Sequence, residues 1–353
     1  MKTKLFLLLI TVSFAFAKTH AQDDVMYVHY INVGQANAAL LEFPCGAVLI
    51  DAGAQDKETT QYLVDYLNDF FAKRKDLNKT LDLVMVTHCH LDHNAALAAV
   101  ADNFKIERYI DNGLKLGSGK TNQLKLQNEA EERGVQYASY PYEAITKSGN
   151  KKGLTNKIID PIKCEVVDPK IILYSGAFNK KPSTWTKDDF ENNGNNHSLF
   201  IKVLFGKASF LFIGDGEIAE MNTVTDYYDG TDALDADILL VGHHGAKNAT
   251  THAFLDAVTP TSAIISCGQW NDSTTGGNYN TYHYGHPTDS ALNMLAAHIS
   301  ANRAHAINVK AGLGAKNFID VDVRKRIYAT PWDGDIIIRA TKEGKYKTLL
   351  SAN

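Results

Sequence analysis

The chain opens its regular pattern with short apolar runs joined by tight connections. "MYVHYINV" (26–33), "ANAALLEF" (36–43) and "GAVLID" (46–51) predict three strands, with Pro44 and Gly46 turning the chain between the last two. Apolar residues then recur at helical spacing over 58–74. "LDLVMVT" (81–87) predicts a buried strand, 94–104 a helix and "IERYID" another strand. From about Lys115 to Asn195 the pattern loosens. It predicts a helix near 123–133, a strand pair in "KCEVVDP" and "KIILYSG", and a surface loop in the polar tract "NKKPSTWTKDDFENNGNN". Regularity returns with a hairpin-like pair, "SLFIKVLFG" and "KASFLFIGD", then a helix from Glu217 and the strand of "ADILLVGHHG". A short helix in "THAFLDAVTP", a strand in "SAIISCG", a helix in "HPTDSALNMLAAHIS" and strands in "AHAINV", "GDIIIRAT" and "YKTLL" complete the chain. Strands and helices alternate in two halves, which predicts helices flanking packed sheets.

The first residues fall outside this pattern. Lys2 and Lys4 precede an apolar run over 5–17 and then small residues, the arrangement of a secretory signal peptide. The run is short for a bilayer span, and no later segment is apolar for long enough. The expectation is a signal peptide over 1–21, cut after Ala17 or Ala21, and a single domain over 22–353. The protein is then exported, to the periplasm or the medium, with no membrane span. Loss of Lys2, Lys4 and Lys18 leaves 33 basic against 40 acidic side chains, a net charge of −7. Such a chain does not attract polyanions globally, so a nucleic-acid substrate would need a local basic groove. The four cysteines, Cys45, Cys89, Cys164 and Cys267, are too scattered for a small disulfide scaffold. An exported protein could pair them, but they are expected as buried free thiols.

The candidate chemistry lies at strand ends. "VTHCHLDHNAAL" (86–97) gathers His88, His90, Asp92 and His93 on a loop between a buried strand and a helix. Imidazole and carboxylate are zinc-type ligands, and four in six positions suit two adjacent cations better than one. Asp215 of "FIGDGE" ends a buried strand, where it can bridge two cations or cap the following helix. "VGHHGAKNATTHAF" offers His243 or His244 to complete the second site, with Gly245 letting the backbone turn away. Lys247 is a candidate contact for an anionic substrate, and Thr250 and Thr251 are expected to cap the short helix. His286 of "YHYGHPT" could bind metal, protonate a leaving group, contact substrate or play a structural part, with Pro287 in the first turn of a helix. His197 of "GNNHSLF" is a weaker candidate ligand or substrate contact.

Taken in this order, these residues resemble the metallo-β-lactamase superfamily: His88, His90, Asp92 and His93 match its HxHxDH signature. "INVGQANAALLEFPCGAVLIDAG", "FIGDGE", "LLVGHHGAKNATTHAFLDAVTPTSAIISCG", "YGHP" and "PWDGDIIIRATKEGKY" resemble the branch of the C-terminal hydrolase domain of the competence protein ComEC. The resemblance implies an α/β four-layer αβ/βα sandwich and hydrolysis by a metal-bound hydroxide. It implies two divalent ions, zinc before manganese. His88 and His90 would hold one, Asp92 and His93 the other, and Asp215 would bridge. Asp92 and Asp215 would steady the attacking group, and His286 is the candidate proton donor. The expected activity is phosphodiester cleavage in a small molecule or a cell-surface polymer, with nucleic acid a further candidate. An amide or ester hydrolase of lactam or lactone type, and a non-catalytic metal-containing binding module, are the alternatives. No protein partner is expected. Two departures stand out: Asn32 and Asn37 occupy positions where the branch commonly has acidic residues. The lactamases' third histidine before a strand has only His197 near it, which argues against β-lactam hydrolysis.

Overall fold

The computed structural model describes residues 24–270 and 280–351. The expected signal peptide lies outside these residues. The first half supplies β1 (Val25–Tyr30), β2 (Ala38–Phe43), β3 (Gly46–Ala52), β4 (Leu83–Val86), β5 (Arg108–Asp111) and β6 (Gln136–Ser139). The second supplies β7 (Lys170–Ser175), β8 (Phe200–Phe205), β9 (Ala208–Phe212), β10 (Ile238–Leu240) and β11 (Ser262–Ile265). A long hairpin of β12 (Asn302–Gly314) and β13 (Asn317–Lys325) precedes β14 (Ile327–Ala329), β15 (Ile336–Thr341) and β16 (Tyr346–Leu350). One sheet has the order β16-β15-β1-β2-β3-β4-β5-β6 and the other β14-β11-β10-β9-β8-β7.

The layering follows from the two-residue period of the strands. Along β9, Phe210 and Phe212 turn inward and Leu211 outward. The inward set meets Met26, Val28, Tyr30 and Leu41 of the other sheet in the central core. On the outer face of the first sheet, Leu63, Leu67, Phe70 and Phe71 of α1 (Lys57–Lys73) pack against Leu40, Leu49 and Val84. Outside the second sheet, Met221 and Val224 of α2 (Ile218–Tyr228), Phe254 and Leu255 of α3 (His252–Val258), and Leu292 and Leu295 of α4 (Asp289–His298) cover Leu211, Leu239 and Ala263. Helix, sheet, sheet and helix form the expected four-layer αβ/βα sandwich. β3, β4 and β5 run parallel, as do β9, β10 and β11. The loops beyond their carboxyl ends are where an α/β sheet presents polar groups to a ligand.

Several local expectations are corrected. "KCEVVDP" is not a strand; its chain is irregular up to the start of β7 at Lys170. The polar tract is more than a surface loop. Thr186 and Asp189 form a capping box for a short helix, Lys187–Glu191. The indole of Trp185 is buried and donates to Ala219 O (3.0 Å) and Thr223 Oγ1 (2.8 Å). Pro287 precedes the helix it was expected to open: the N-cap of α4 is Thr288, which accepts from Ala291 N. Thr251, as expected, caps α3 through Phe254 N, whereas the buried hydroxyl of Thr250 caps nothing.

The cysteine expectation is half overturned. Cys45 and Cys164 form a disulfide, while Cys89 and Cys267 are buried free thiols. The turn of Pro44–Gly46 carries Cys45 to the rim of the first sheet, where the irregular segment ending at β7 brings Cys164 to it. The bond closes a loop of 119 residues. Replacing both residues by serine is expected to cost about 2–4 kcal/mol, read by denaturant unfolding, through the extra freedom of the unfolded chain. An unchanged midpoint would contradict this.

Candidate metal centre

Eight loops at the strand carboxyl ends converge on one cavity of about 390 Å³. Its walls include His90, Asp92, Asp215, His243, His244 and His286, with Gln35, Gln55, Ser118, Asn195 and Tyr284 around them. No lysine or arginine stands in this wall among the described residues.

The loop after β4 is fixed by a carboxylate from β3. Asp51, fully buried, has a left-handed backbone (φ 58°) that turns its side chain across to the neighbouring strand. Its Oδ1 accepts from Thr87 N (2.7 Å). Its Oδ2 accepts from Thr87 Oγ1 (3.0 Å), His93 Nδ1 (2.7 Å) and Asn37 Nδ2 (3.2 Å). With Nδ1–H committed, His93 presents Nε2 to the cavity side. Asn37, one of the two departures, therefore helps hold this orienting carboxylate. Asn32 is anchored elsewhere, its N–H donating to Asp335 Oδ1 (2.8 Å).

Asp215 stands just beyond β9, between two sets of nitrogens. Helix α2 begins after it with Glu217 as N-cap and no side-chain cap, so Asp215 faces the cavity. Its Oδ1 lies 3.0 Å from His93 Nε2. Its Oδ2 lies 3.7 Å from His244 Nε2, 3.9 Å from His88 Nε2 and 4.0 Å from His243 Nε2. His88 Nε2 and His90 Nδ1 are 3.0 Å apart. Asp92 Oδ2 is 3.3 Å from His244 Nε2. One ligand atom each from Asp92, His93, Asp215 and His244 falls within 4.8 Å of every other.

The two adjacent histidines are separated by their outer partners. After β10 the chain runs through left-handed conformations at His243 (φ 47°), His244 (φ 54°) and Gly245 (φ 78°), unusual for side chains of this size. His244 Nδ1–H donates to Ser266 O (2.7 Å), leaving Nε2 for the cluster. His243 turns its Nδ1 toward Glu217 Oε1 (3.3 Å). The sequence left these two open; the geometry brings His244 into the four-residue cluster and pairs His243 with Glu217.

The electrostatics suit a cation. Burial opposes charge on His93, but Asp215 and Asp51 outweigh it and hold its pKa well above the ordinary value. Burial likewise disfavours ionised Asp215, yet His93, His244 and His243 bring its pKa well below the usual range. Asp92 is lowered against the same burial cost by its hydrogen bond with His244 and the charge on His93. His88 moves the other way, pushed down by burial and by His93 and His90. The His93 Nε2 atom is buried and makes no hydrogen bond despite its nearness to Asp215. With its neighbour Asp215 and the Asp92 and His244 ligand atoms it forms a largely buried set of imidazole and carboxylate donors around one point, the type of set a divalent cation takes. The residues present therefore fit a metal.

His286 sits across the cavity, its ring 5.5 Å from that of His243. Gln35 fixes its tautomer. Gln35 Oε1 accepts from Thr281 Oγ1 (2.7 Å) and Gly268 N (3.3 Å), so its amide nitrogen faces His286 Nδ1 (3.2 Å). Nδ1 then accepts and the other nitrogen carries the proton. Burial, with His243 and His244, pushes the His286 pKa down to about 3, so the ring is neutral at pH 7.

Two candidates are placed elsewhere. His197 is buried beside Phe178, Trp185 and Phe190. Its Nδ1 accepts from Phe178 N (3.0 Å) and its Nε2–H donates to Phe190 O (2.9 Å), so both nitrogens hold the fold together. Lys247 is exposed and does not line the cavity. The residues that sequence reasoning missed are Asp51, Gln35, Asn195 and Glu217. Asp51 left one signal, an acidic residue closing an apolar strand.

Comparison with known proteins agrees with this geometry. Residues 31–145 match the family model described as metallo-beta-lactamase superfamily. The chain is 26% identical over 281 residues to ComE operon protein 3 of Bacillus subtilis (strain 168), covering 77% of this chain and 30% of that protein. It is 29% identical over 137 residues to competence protein ComA of Neisseria gonorrhoeae, covering 36% of this chain and 18% of that one. The chain thus spans under a third of the length of these relatives. A solved structure of the metallo-beta-lactamase fold protein YhfI from Bacillus subtilis is 10% identical and aligns over 92% of this chain and all of that one, with a TM-score of 0.46.

Proposed function

Because residues 31–145 match the family model of the metallo-β-lactamase superfamily, whose members are typically metal-dependent hydrolases, we propose that this protein is an exported hydrolase of phosphodiester bonds. The observation that carries the reading is Asp215, whose carboxylate lies within 4.0 Å of nitrogens from both histidine-bearing loops, His88 and His93 from one and His244 from the other. His88, His90 and Asp215 would hold one divalent cation; Asp92, His93, Asp215 and His244 would hold the other. A bound pair of this kind lowers the pKa of water toward neutrality and offsets charge building on the oxygens of an in-line displacement.

The chain's own residues supply the rest. Asp92 and Asp215 accept hydrogen bonds from the attacking water and keep it in line. His286, neutral and carrying its hydrogen on the nitrogen away from Gln35, offers that N–H as a hydrogen bond to the leaving oxygen. With so low a pKa it steadies the charge there rather than protonating the oxygen, and the proton comes from water. Gln55, Ser118 and Tyr284 offer neutral contacts, and the absence of lysine and arginine from the described wall suits a singly charged diester better than a polyanion. A small phosphodiester or a diester-linked cell-surface polymer fits this best. The Cys45–Cys164 disulfide supports export to an oxidising compartment. No helix among the described residues is long and apolar enough to cross a membrane.

Protein loaded with zinc or manganese is expected to hydrolyse bis(p-nitrophenyl) phosphate and to leave a chromogenic cephalosporin intact. The reverse pattern would make it an amide or ester hydrolase. Inactivity toward phosphodiesters, esters and amides alike would leave a metal-containing binding module.

A further inference from the structure

The two sides of Asp215 are unequally furnished. On one side Asp92, His93 and His244 join it in a compact set of four donors. Outside that set stand His88 Nε2 and His90 Nδ1, 3.0 Å apart, and His243, whose Nε2 is 4.0 Å from Asp215 Oδ2 while its Nδ1 is turned to Glu217. The position from which a third imidazole would be expected is not filled by His197, whose nitrogens are both committed.

The same turn instead delivers Asn195. This residue is 7% exposed, lines the same cavity as His90 and Asp215, and belongs to a buried turn, Gly194–His197. Its orientation is set chemically. Asn195 Nδ2 donates to Glu217 Oε1 (2.8 Å), and a carboxylate only accepts, so the amide cannot be reversed. Asn193 Nδ2 donates to the other Glu217 oxygen (2.9 Å) and Asn193 Oδ1 accepts from Asn195 N (3.1 Å), clamping the turn. The Asn195 Oδ1 atom is then buried with no hydrogen-bond partner. The turn presses against the first site: a Cβ at Gly194 would meet Leu116 O at 2.4 Å and lie 3.5 Å from His90 Nε2, so only glycine fits there. The amide oxygens of Asn37, Asn94 and Gln123 are likewise buried and unmet, but of these four residues Asn195 alone lines the cavity, where a ligand could meet it.

We propose that the side-chain carbonyl oxygen of Asn195 is a ligand to the cation held by His88 and His90. The inference rests on the two-cation reading above. It adds a consequence: an amide carbonyl is a harder donor than an imidazole, so this site accepts manganese more readily, relative to zinc, than a three-histidine site would.

The test titrates the metal-stripped full chain with zinc against a chromophoric chelator, and with manganese by electron paramagnetic resonance. Wild type is expected to take up two equivalents of either ion. In Asn195→Ala one equivalent weakens at least about tenfold while the other is unchanged. In Asn195→His that equivalent recovers for zinc but not for manganese. Circular dichroism and the thermal midpoint of the stripped variants report whether each folds. Folded Asn195→Ala that binds both equivalents as wild type does, or an Asn195→His that recovers manganese as fully as zinc, overturns the inference and leaves the two-cation reading standing. Wild type that binds fewer than two equivalents overturns that reading first, and the inference with it.

Discussion

Asp215→Ala is expected to abolish hydrolysis. The carboxylate approaches nitrogens from both histidine-bearing loops, through Oδ1 to His93 and through Oδ2 to His88 and His244. Without it neither cation keeps its shared ligand, and the charge developing in the displacement loses its main counterweight. Stabilisation of that kind is worth several kcal/mol, so kcat should fall by about 10³-fold or more. Metal analysis should show loss of bound ion in parallel. Activity within tenfold of wild type would show that Asp215 merely caps or packs. The fold should survive, because the sheets pack through residues such as Phe210, Phe212 and Tyr30, away from the cavity.

Asp51→Ala is expected to act on stability and metal together. Four donors converge on this carboxylate: Thr87 N, Thr87 Oγ1, His93 Nδ1 and Asn37 Nδ2. Truncation strands all of them in a site with no solvent access, and breaking a buried pair of this type costs about 3–5 kcal/mol. Alanine also inherits the left-handed backbone at φ 58° without the short polar side chain that eases it there, which adds to the loss. Where the variant still folds, His93 loses the partner that fixes its tautomer, and metal affinity should drop about 10–100-fold. Unfolding in denaturant and metal competition measure the two effects separately. Loss of stability with metal affinity intact would mean that His93 needs no orienting partner.

Much of the architecture was legible because alternation and helical spacing are local signals. The strands of 25–30, 38–43, 46–52 and 83–86 and the helix of 57–73 fall where the apolar pattern puts them. The irregular middle was less legible. The Lys187–Glu191 helix is short and polar, held by a capping box and by Trp185 rather than by an apolar stripe. Cys164 lies in a segment with no periodicity, so nothing local marks its partner across 119 residues. In the cavity, His88, His90, Asp92, His93, Asp215 and His244 were visible as donor types at strand ends, and the structure brings them together. His197 misled because spacing alone cannot reveal that both ring nitrogens are spent on backbone groups. Asn195, two residues earlier, was hidden in a tract that reads as solvated polar loop, although it is buried. The choice between His243 and His244 depended on Ser266 O and Glu217, groups remote in sequence.

Anomalous diffraction from crystals of the protein soaked in zinc or manganese bears on all of this at once. Two peaks are expected, one against His88 and His90 and one among Asp92, His93 and His244, with Asp215 between them. A map with no peak at Asp215, or a single ion enclosed on every side by protein ligands, would contradict a two-cation hydrolytic site.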